Sequence, residues 1–284
     1  LIFPRTSCIL CGMAFETGIT SNVRCGNPEQ TLDAIKSAGF ENVMLEEKTG
    51  ALCDLIPAAF GVGLKVPYVH LCYKDNFSLW TDDKRQPDCL ERIKAGIKIC
   101  GQNGINTVVL HPTSRKTDPS DIGLGCMEQI LECAENYDVR VALENAGRGH
   151  IAHLKYLFNR FGPRDLGFCF DSGHWYADHP EFNYLEKFGN RLLAIHLHDN
   201  LGGCDDMHLL PFDGMINFDR VAKGIAKSAY RGPVMLEARK NDNARSRYLD
   251  ISGEEFLHEA HARATKLSKM ITAYSPLTCD NQIS

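Results

Sequence analysis

The feature that most constrains this chain is an alternation. Eight short runs rich in apolar and β-branched residues recur along it, at residues 6–10, 42–45, 66–71, 107–110, 140–143, 166–170, 192–197 and 233–236. Between them, apolar residues repeat at helical spacing over about 88–102, 121–137, 150–161, 181–188, 219–228 and 253–273. A further helix is signalled by Asn27-Pro28-Glu29, an N-cap followed by proline at the first helical position, and it stops at Gly39. The segment 52–60 is less regular, because Pro57 and the glycines after it interrupt the pattern. Strands linked through helices run parallel, since a parallel pair needs a crossover connection. Eight such units in 284 residues average about 36 residues each, an ordinary βα length. The absence of a GxGxxG after the first run removes the dinucleotide-fold fingerprint, and no Pro/Ser/Gly-rich linker divides the chain. The expectation is a closed (β/α)8 TIM barrel, one domain over residues 1–273, with a loose tail over 274–284.

Composition narrows the function classes only mildly. The net charge of −5 lends no support to a nucleic-acid or membrane-surface partner. No run approaches the roughly 18 apolar residues of a membrane span, and Leu1-Ile2-Phe3-Pro4-Arg5 does not resemble a signal peptide. The 12 cysteines are too sparse for a disulfide scaffold, so a cytoplasmic protein with reduced thiols is expected. Cys8 and Cys11 form a CxxC inside an apolar strand-like run, which reads as ordinary buried cysteine, and there is no second CxxC to build a zinc knuckle.

The ends of the runs carry the chemistry. The second ends in Glu46, the third in His70, the fourth in His111, the fifth in Glu144 and Asn145. The sixth ends in Asp171, with His174 and Trp175 just beyond; the seventh in His196, His198 and Asp199; the eighth in Glu237, with Arg239 following. In a parallel barrel these C-terminal ends converge on one mouth, where such folds carry their active sites. The long Gly-, Asp- and His-rich break over 199–217 adds Asp206 and His208. So many carboxylates and imidazoles in one cleft repel one another and lose hydration, and a divalent cation relieves both. Mixed oxygen and nitrogen ligation suits Mn, Zn, Co, Fe or Mg. Singly, each residue has a blander explanation as a cap, a salt-bridge partner or a hydrogen-bonded structural group. Taken as a set, acids or imidazoles ending seven of eight strands point to a site. Glu46 is the weakest member, since Glu47 and Lys48 suggest an exposed corner. Cys72 reads as inert packing, and Trp175 and Phe212 as either packing or an apolar pocket wall. His150, His153, His179, His258 and His261 read as surface residues.

The segments VALEN, FCFDSGHW, HLHDN followed by Asp206-Met207-His208, and VMLEAR resemble the xylose isomerase-like TIM-barrel superfamily, over about residues 7–273. That group includes sugar-phosphate isomerases and epimerases, ketose 3-epimerases, inosose dehydratases and the endonuclease IV group. The resemblance implies a core metal held by Glu144, Asp171, His196 and Glu237, with His174 beside it and touching substrate. The endonuclease IV group adds ligands for a trinuclear zinc cluster. They match His70, His111, His174, Asp206 and His208, and Tyr73 follows His70 as it does there. The chain departs from that group at its first run, Thr6-Ser7-Cys8-Ile9-Leu10, and at LGGCDDMHLL, where a serine- and lysine-rich stretch is missing. It also lacks the arginine that follows the seventh-strand histidine in ketose 3-epimerases. PFDGMIN is an altered form of the PGEG turn common in the sugar group.

The leading expectation is therefore a metal-dependent isomerase or epimerase acting on a small carbohydrate, with Glu144 and Glu237 as general base and acid. His70, His111, His174, Trp175, His198 and Arg239 would contact substrate. An inosose-type dehydratase shares the same chemistry. The rival class is an endonuclease IV-like zinc phosphodiesterase acting on abasic DNA, for which a basic DNA-facing rim is wanting. Barrels of this kind commonly pair, which leaves a homodimer open.

Overall fold

The computed structural model describes residues 14–23, 25–49, 51–147, 150–202, 206–240 and 247–275. Eight parallel strands are present: β1 (Thr17–Thr20), β2 (Asn42–Glu46), β3 (Val69–His70), β4 (Thr107–Leu110), β5 (Arg140–Glu144), β6 (Leu166–Asp171), β7 (Leu192–His196) and β8 (Val234–Leu236). Their order is β7-β6-β5-β4-β3-β2-β1-β8. The ring closes between β7 and β8 through one bridge, Leu197 to Leu236, where the Leu197 N–H donates to Met235 O at 3.0 Å and the Glu237 N–H to Leu197 O at 3.2 Å. Outside lie α1 (Pro28–Ser37), α2 (Leu52–Gly61), α3 (Gln86–Gln102), α4 (Asp121–Asn136), α5 (His150–Phe158), α6 (Ser172–Asp178), α7 (Tyr184–Phe188), α8 (Phe218–Lys227) and α9 (Gly253–Tyr274). The architecture is a (β/α)8 TIM barrel.

Local chemistry explains most boundaries. Asn27 and Gln30 form a capping box at the start of α1, with Pro28 inside the first turn, and Ser252 and Glu255 do the same for α9. α2 forms despite Pro57 because Leu52, Leu55, Ile56 and Ala59 bury one face, and that packing outweighs one missing hydrogen bond. β3 is shorter than its apolar run because Pro67 has no N–H for the ladder.

The first strand differs from the expectation. The run 6–10, with Cys8 and Cys11, lies outside the described residues, and the strand paired between β8 and β2 is Thr17–Thr20. Its segment, TGIT, has a single large apolar residue, and Gly18 is there for space. A Cβ on Gly18 would stand 2.6 Å from the Met235 methyl and 3.0 Å from Asn42 Cβ. A strand chosen for close approach carries little hydrophobic signal.

The barrel floor under the mouth is apolar and closed. Tyr68 crosses it, its hydroxyl donating to Ile195 O at 2.7 Å, with its ring 6.0 Å from that of His196. Cys169 and Cys100 are buried, which pushes their thiols up to about 12, so both stay protonated filling. The described cysteines are all free thiols. No helix among the described residues is long and apolar enough to cross a membrane.

Candidate metal centre

Parallel register brings the strand ends to one level: Glu144 pairs with Cys169 in the ladder, and Asp171 with His196. Glu144, Asp171, His196 and Glu237 are each buried, and one ligand atom from each lies within 4.8 Å of the others. His196 Nδ1 stands 2.8 Å from Glu237 Oε2, 3.2 Å from Glu144 Oε2 and 3.9 Å from Asp171 Oδ2. Among the described residues, neither ring nitrogen of His196 nor Glu237 Oε2 is in a hydrogen bond. These atoms are close without being aligned on one another, and buried polar atoms are rarely left that way. Ligands converging on a common centre give this pattern, so the residues fit a divalent cation.

Two further groups flank the first. His70 Nε2, His111 Nε2 and Glu144 Oε2 form a triangle with edges of 3.2, 3.1 and 3.3 Å. Ligands about 2.0 Å from a tetrahedral ion are about 3.3 Å apart, so the triangle has the size of one face of such a site. On the other side, His174 Nδ1 is 2.9 Å from Glu144 Oε1, and its Nε2 is 3.3 Å from Asp206 Oδ2. The same Asp206 oxygen is 2.7 Å from His208 Nε2. Glu144 thus joins the groups, one oxygen facing His70, His111 and His196 and the other facing His174.

A second layer orients these ligands. Asp171 caps α6, its Oδ1 accepting from the His174 N–H at 2.6 Å. Asn145 grips the Asp171 backbone from both sides at 2.8 Å, through its Nδ2 to Asp171 O and its Oδ1 from Asp171 N–H. His198 is fully buried with Nε2 3.0 and 3.1 Å from the two Asp171 oxygens. This geometry lets it orient Asp171, and its Nε2 is also 3.8 Å from Asp206 Oδ1, in a group with Asp206 and His208 whose ligand atoms lie within 4.8 Å of one another.

Two side chains tie together the described parts of the 199–217 segment. The Asp199 carboxylate accepts from the backbone N–H groups of Asn200, Phe212, Gly214 and Ile216 at 2.9–3.0 Å, and Asn200 Oδ1 accepts from Met207 N–H at 2.7 Å. Burial pushes the Asp199 carboxyl up, opposed by those four donors. Asp206 and His208 are therefore presented by a latched loop. Asp199→Ala is expected to cost about 3 kcal/mol, since four amides lose their acceptor. It should also lower metal content, as read by thermal melting and elemental analysis. An unchanged melt would remove the latch from the account.

Several expected roles are corrected. Trp175 is not at the mouth: one residue on from His174 the helix turns it about 100° outward. Its indole donates to Phe182 O at 3.0 Å, and its ring packs on Phe170 and under Arg220. Phe212 likewise packs on Phe218 and beneath Lys266. Glu46 is not an exposed corner but 1% accessible, within the mouth. His150 and His153 are buried rather than on the surface; His153 meets Trp80 edge-on at 4.4 Å and His150 faces the His111 ring at 6.1 Å. Arg239 stands at the edge of the group, its Nη2 2.8 Å from His208 Nε2 and 3.5 Å from Glu237 Oε1. Asn145, Asp199 and Asn200 were visible in VALEN and HLHDN, but their work is on backbone atoms of other segments, which spacing does not reveal.

Electrostatics agree with a cation site. Burial pushes the Glu144 carboxyl up, yet His111 and His196 hold it well below the usual range; Glu237 is held down the same way by His196. Burial pushes His196 and His174 down, but the surrounding anions raise both well above 6.5. Metal-free protein thus carries protons that a cation must displace. The sign follows: a raised histidine stabilises the fold fully below about 6.5 and loses that contribution as pH rises through its folded value. Metal affinity moves the other way, because ligation needs the neutral ring. The gap in melting temperature between metal-loaded and chelated protein is expected to widen from about pH 6 to about pH 8. A gap that narrows over that range would contradict the ligand assignment.

A closed parallel barrel with imidazoles and carboxylates gathered at its C-terminal mouth is the arrangement of metal-dependent TIM-barrel enzymes. The profile of the xylose isomerase-like TIM barrel matches residues 32–259, and the chain belongs to that family. It is 32% identical over 228 residues to the uncharacterized protein y4fM of Sinorhizobium fredii, covering 73% of this chain and 68% of that one. It is 26% identical over 199 residues to a probable endonuclease 4 of Mycoplasma pneumoniae, covering 62% and 68%. Among solved structures, an L-ribulose 3-epimerase superposes with a TM-score of 0.73 at 14% identity, over 96% of this chain and all of that one.

Proposed function

We propose that this protein is a divalent-metal-dependent isomerase or epimerase of a sugar or related polyol ketone, working through an enediolate. The observation that carries the reading is the placement of Glu144 and Glu237 on two sides of His196 Nδ1, at 3.2 and 2.8 Å, in an enclosed mouth. Glu144, Asp171, His196 and Glu237 would hold the cation, whose chemistry there is Lewis-acid polarisation of a carbonyl. Glu144 takes the proton from the carbon beside the carbonyl; the C–H electron pair becomes the new C=C bond and the carbonyl π pair moves to the oxygen. Glu237 delivers a proton, drawn from solvent, to the opposite face of the same carbon, giving the epimer; protonation of the former carbonyl carbon, with the hydroxyl proton of the neighbouring carbon passing to the other oxygen, gives the isomer. Loss of a β-hydroxyl from the same enediolate would be the inosose-type dehydration. His174 orients a hydroxyl. The similarity of the barrel to L-ribulose 3-epimerase supports the reading. The test is solvent-deuterium incorporation across a panel of aldoses, ketoses and inososes, with the protein reloaded in turn with Mn, Zn, Co, Fe and Mg. No exchange with any member would overturn it.

A second reading is favoured by one observation: the flanking groups His70/His111/Glu144 and His174/Asp206/His208 are those expected for three zinc ions. The likeness to probable endonuclease 4 proteins points the same way. Three tightly held zinc ions per chain together with cleavage of abasic DNA would establish that reading in place of the first.

A further inference from the structure

At one end of the mouth, His208 is locked against the segment that follows β8. Its Nδ1 lies 2.7 Å from Glu237 O, which can only accept, so Nδ1 carries the proton and Nε2 offers a lone pair. Its carbonyl accepts from the Arg239 N–H at 3.0 Å, and Arg239 Nη2 donates to Nε2 at 2.8 Å. We propose that Arg239 is a built-in competitor for metal at the Asp206/His208 end of the mouth, so that a cation there is held far more weakly than one among Glu144, Asp171, His196 and Glu237. The proposal rests on the metal-dependent reading above and sets how many cations such a mouth holds firmly.

The competition follows from the lone pair, which serves one partner at a time. Asp206 Oδ2 is 2.7 Å from His208 Nε2, so the two are placed to share a cation. A cation joining them must bond Nε2 through the lone pair that Arg239 now holds. Zinc bonded to an imidazole nitrogen lies about 2.0 Å from it, inside the 2.8 Å that separates Nε2 from Nη2. Metal and guanidinium cannot share that approach, and their like charges repel. The guanidinium cannot yield by losing a proton.

Of the two side chains, Arg239 is the one that must move. His208 has a φ of 48°, a left-handed backbone that a residue with a Cβ keeps only where its surroundings fix it. Its ring also stacks on that of His198, 4.3 Å between centres. Arg239 is held less firmly. Its Nε is buried without a hydrogen-bond partner among the described residues, its contact with Glu237 Oε1 is long at 3.5 Å, and its side chain is 22% accessible. The seat can therefore be vacated, at a cost to whatever cation takes it. The effect stops short of the inner group, because Arg239 approaches Oε1 of Glu237 while Oε2 faces His196 Nδ1 at 2.8 Å.

The test is equilibrium dialysis of the full chain against buffers of graded free zinc, with zinc content read by elemental analysis. In wild type one ion is expected to enter only at free zinc about tenfold or more above the rest, or not at all. Asp206→Asn should remove that late stage and leave the early uptake unchanged. Arg239→Met should bring the late ion in at free zinc about tenfold to a hundredfold lower, since no charged hydrogen bond has to be broken. Arg239→Gln should do the same, and serves if the methionine variant does not fold. Three ions entering wild type in a single tight stage would overturn the proposal. So would loss of early uptake in Asp206→Asn, or a folded Arg239 variant that fills as wild type does. Failure of the isomerase reading would appear separately, as absent deuterium exchange while the zinc stages stand.

Discussion

Glu144→Gln is expected to lower deuterium exchange into substrate by about a thousandfold or more and to empty the centre of metal, while the barrel still folds. Glutamine keeps the shape and removes the charge. Glu144 belongs to the central group and to the group with His70, and stands within 3.3 Å of His70, His111, His174 and His196. Losing its charge therefore weakens both of those ligand sets at once and removes the base. Exchange and elemental analysis must be read together. Exchange at wild-type rate would sink the assignment of Glu144 as base. Loss of exchange with full metal content would separate the base from the ligand.

The second large effect is expected at a residue with no chemistry. Gly173 sits in α6 between Asp171 and His174, and a Cβ there would stand 1.9 Å from His198 Cε1. By helix propensity alone, alanine would be favoured by about 1 kcal/mol. The clash outweighs this, because His198 is fully buried and pinned to both oxygens of Asp171. Overpacking of this kind costs about 3 kcal/mol. Melting should fall by about 6–10 °C. Displacing the support of Asp171 should also cost about 10–100-fold in metal affinity. Gly173→Ala with unchanged melting and metal affinity would show that His198 is free to move.

The fold was legible because seven of the eight strands are apolar runs between helical patterns. β1 was not, because close contact with Met235 and Asn42 requires Gly18 and leaves only Ile19 as hydrophobic signal. The ring of ligands was legible for a similar reason: each follows an apolar run by one step, and parallel register does the rest. Direction around a helix was harder to read. His174 and Trp175 are adjacent in sequence yet face the mouth and the outer layer. Polar residue type misled at Glu46, His150 and His153, which are buried because partners from other elements satisfy or shield them. The roles of Asn145 and Asp199 lay beyond reach, since their partners are backbone amides and carbonyls whose positions only the folded chain defines.

The closure of the barrel has a further consequence. β5 and β6 run together over four residue pairs, whereas β7 and β8 meet through one bridge. The two sides of that seam end in His196 and Glu237. A cation held by both would act as a clasp across the weakest joint of the cylinder, so loading the site would also tighten the wall. Amide exchange on removing the metal should accelerate first along β7 and β8, which makes the centre part of what keeps the barrel round.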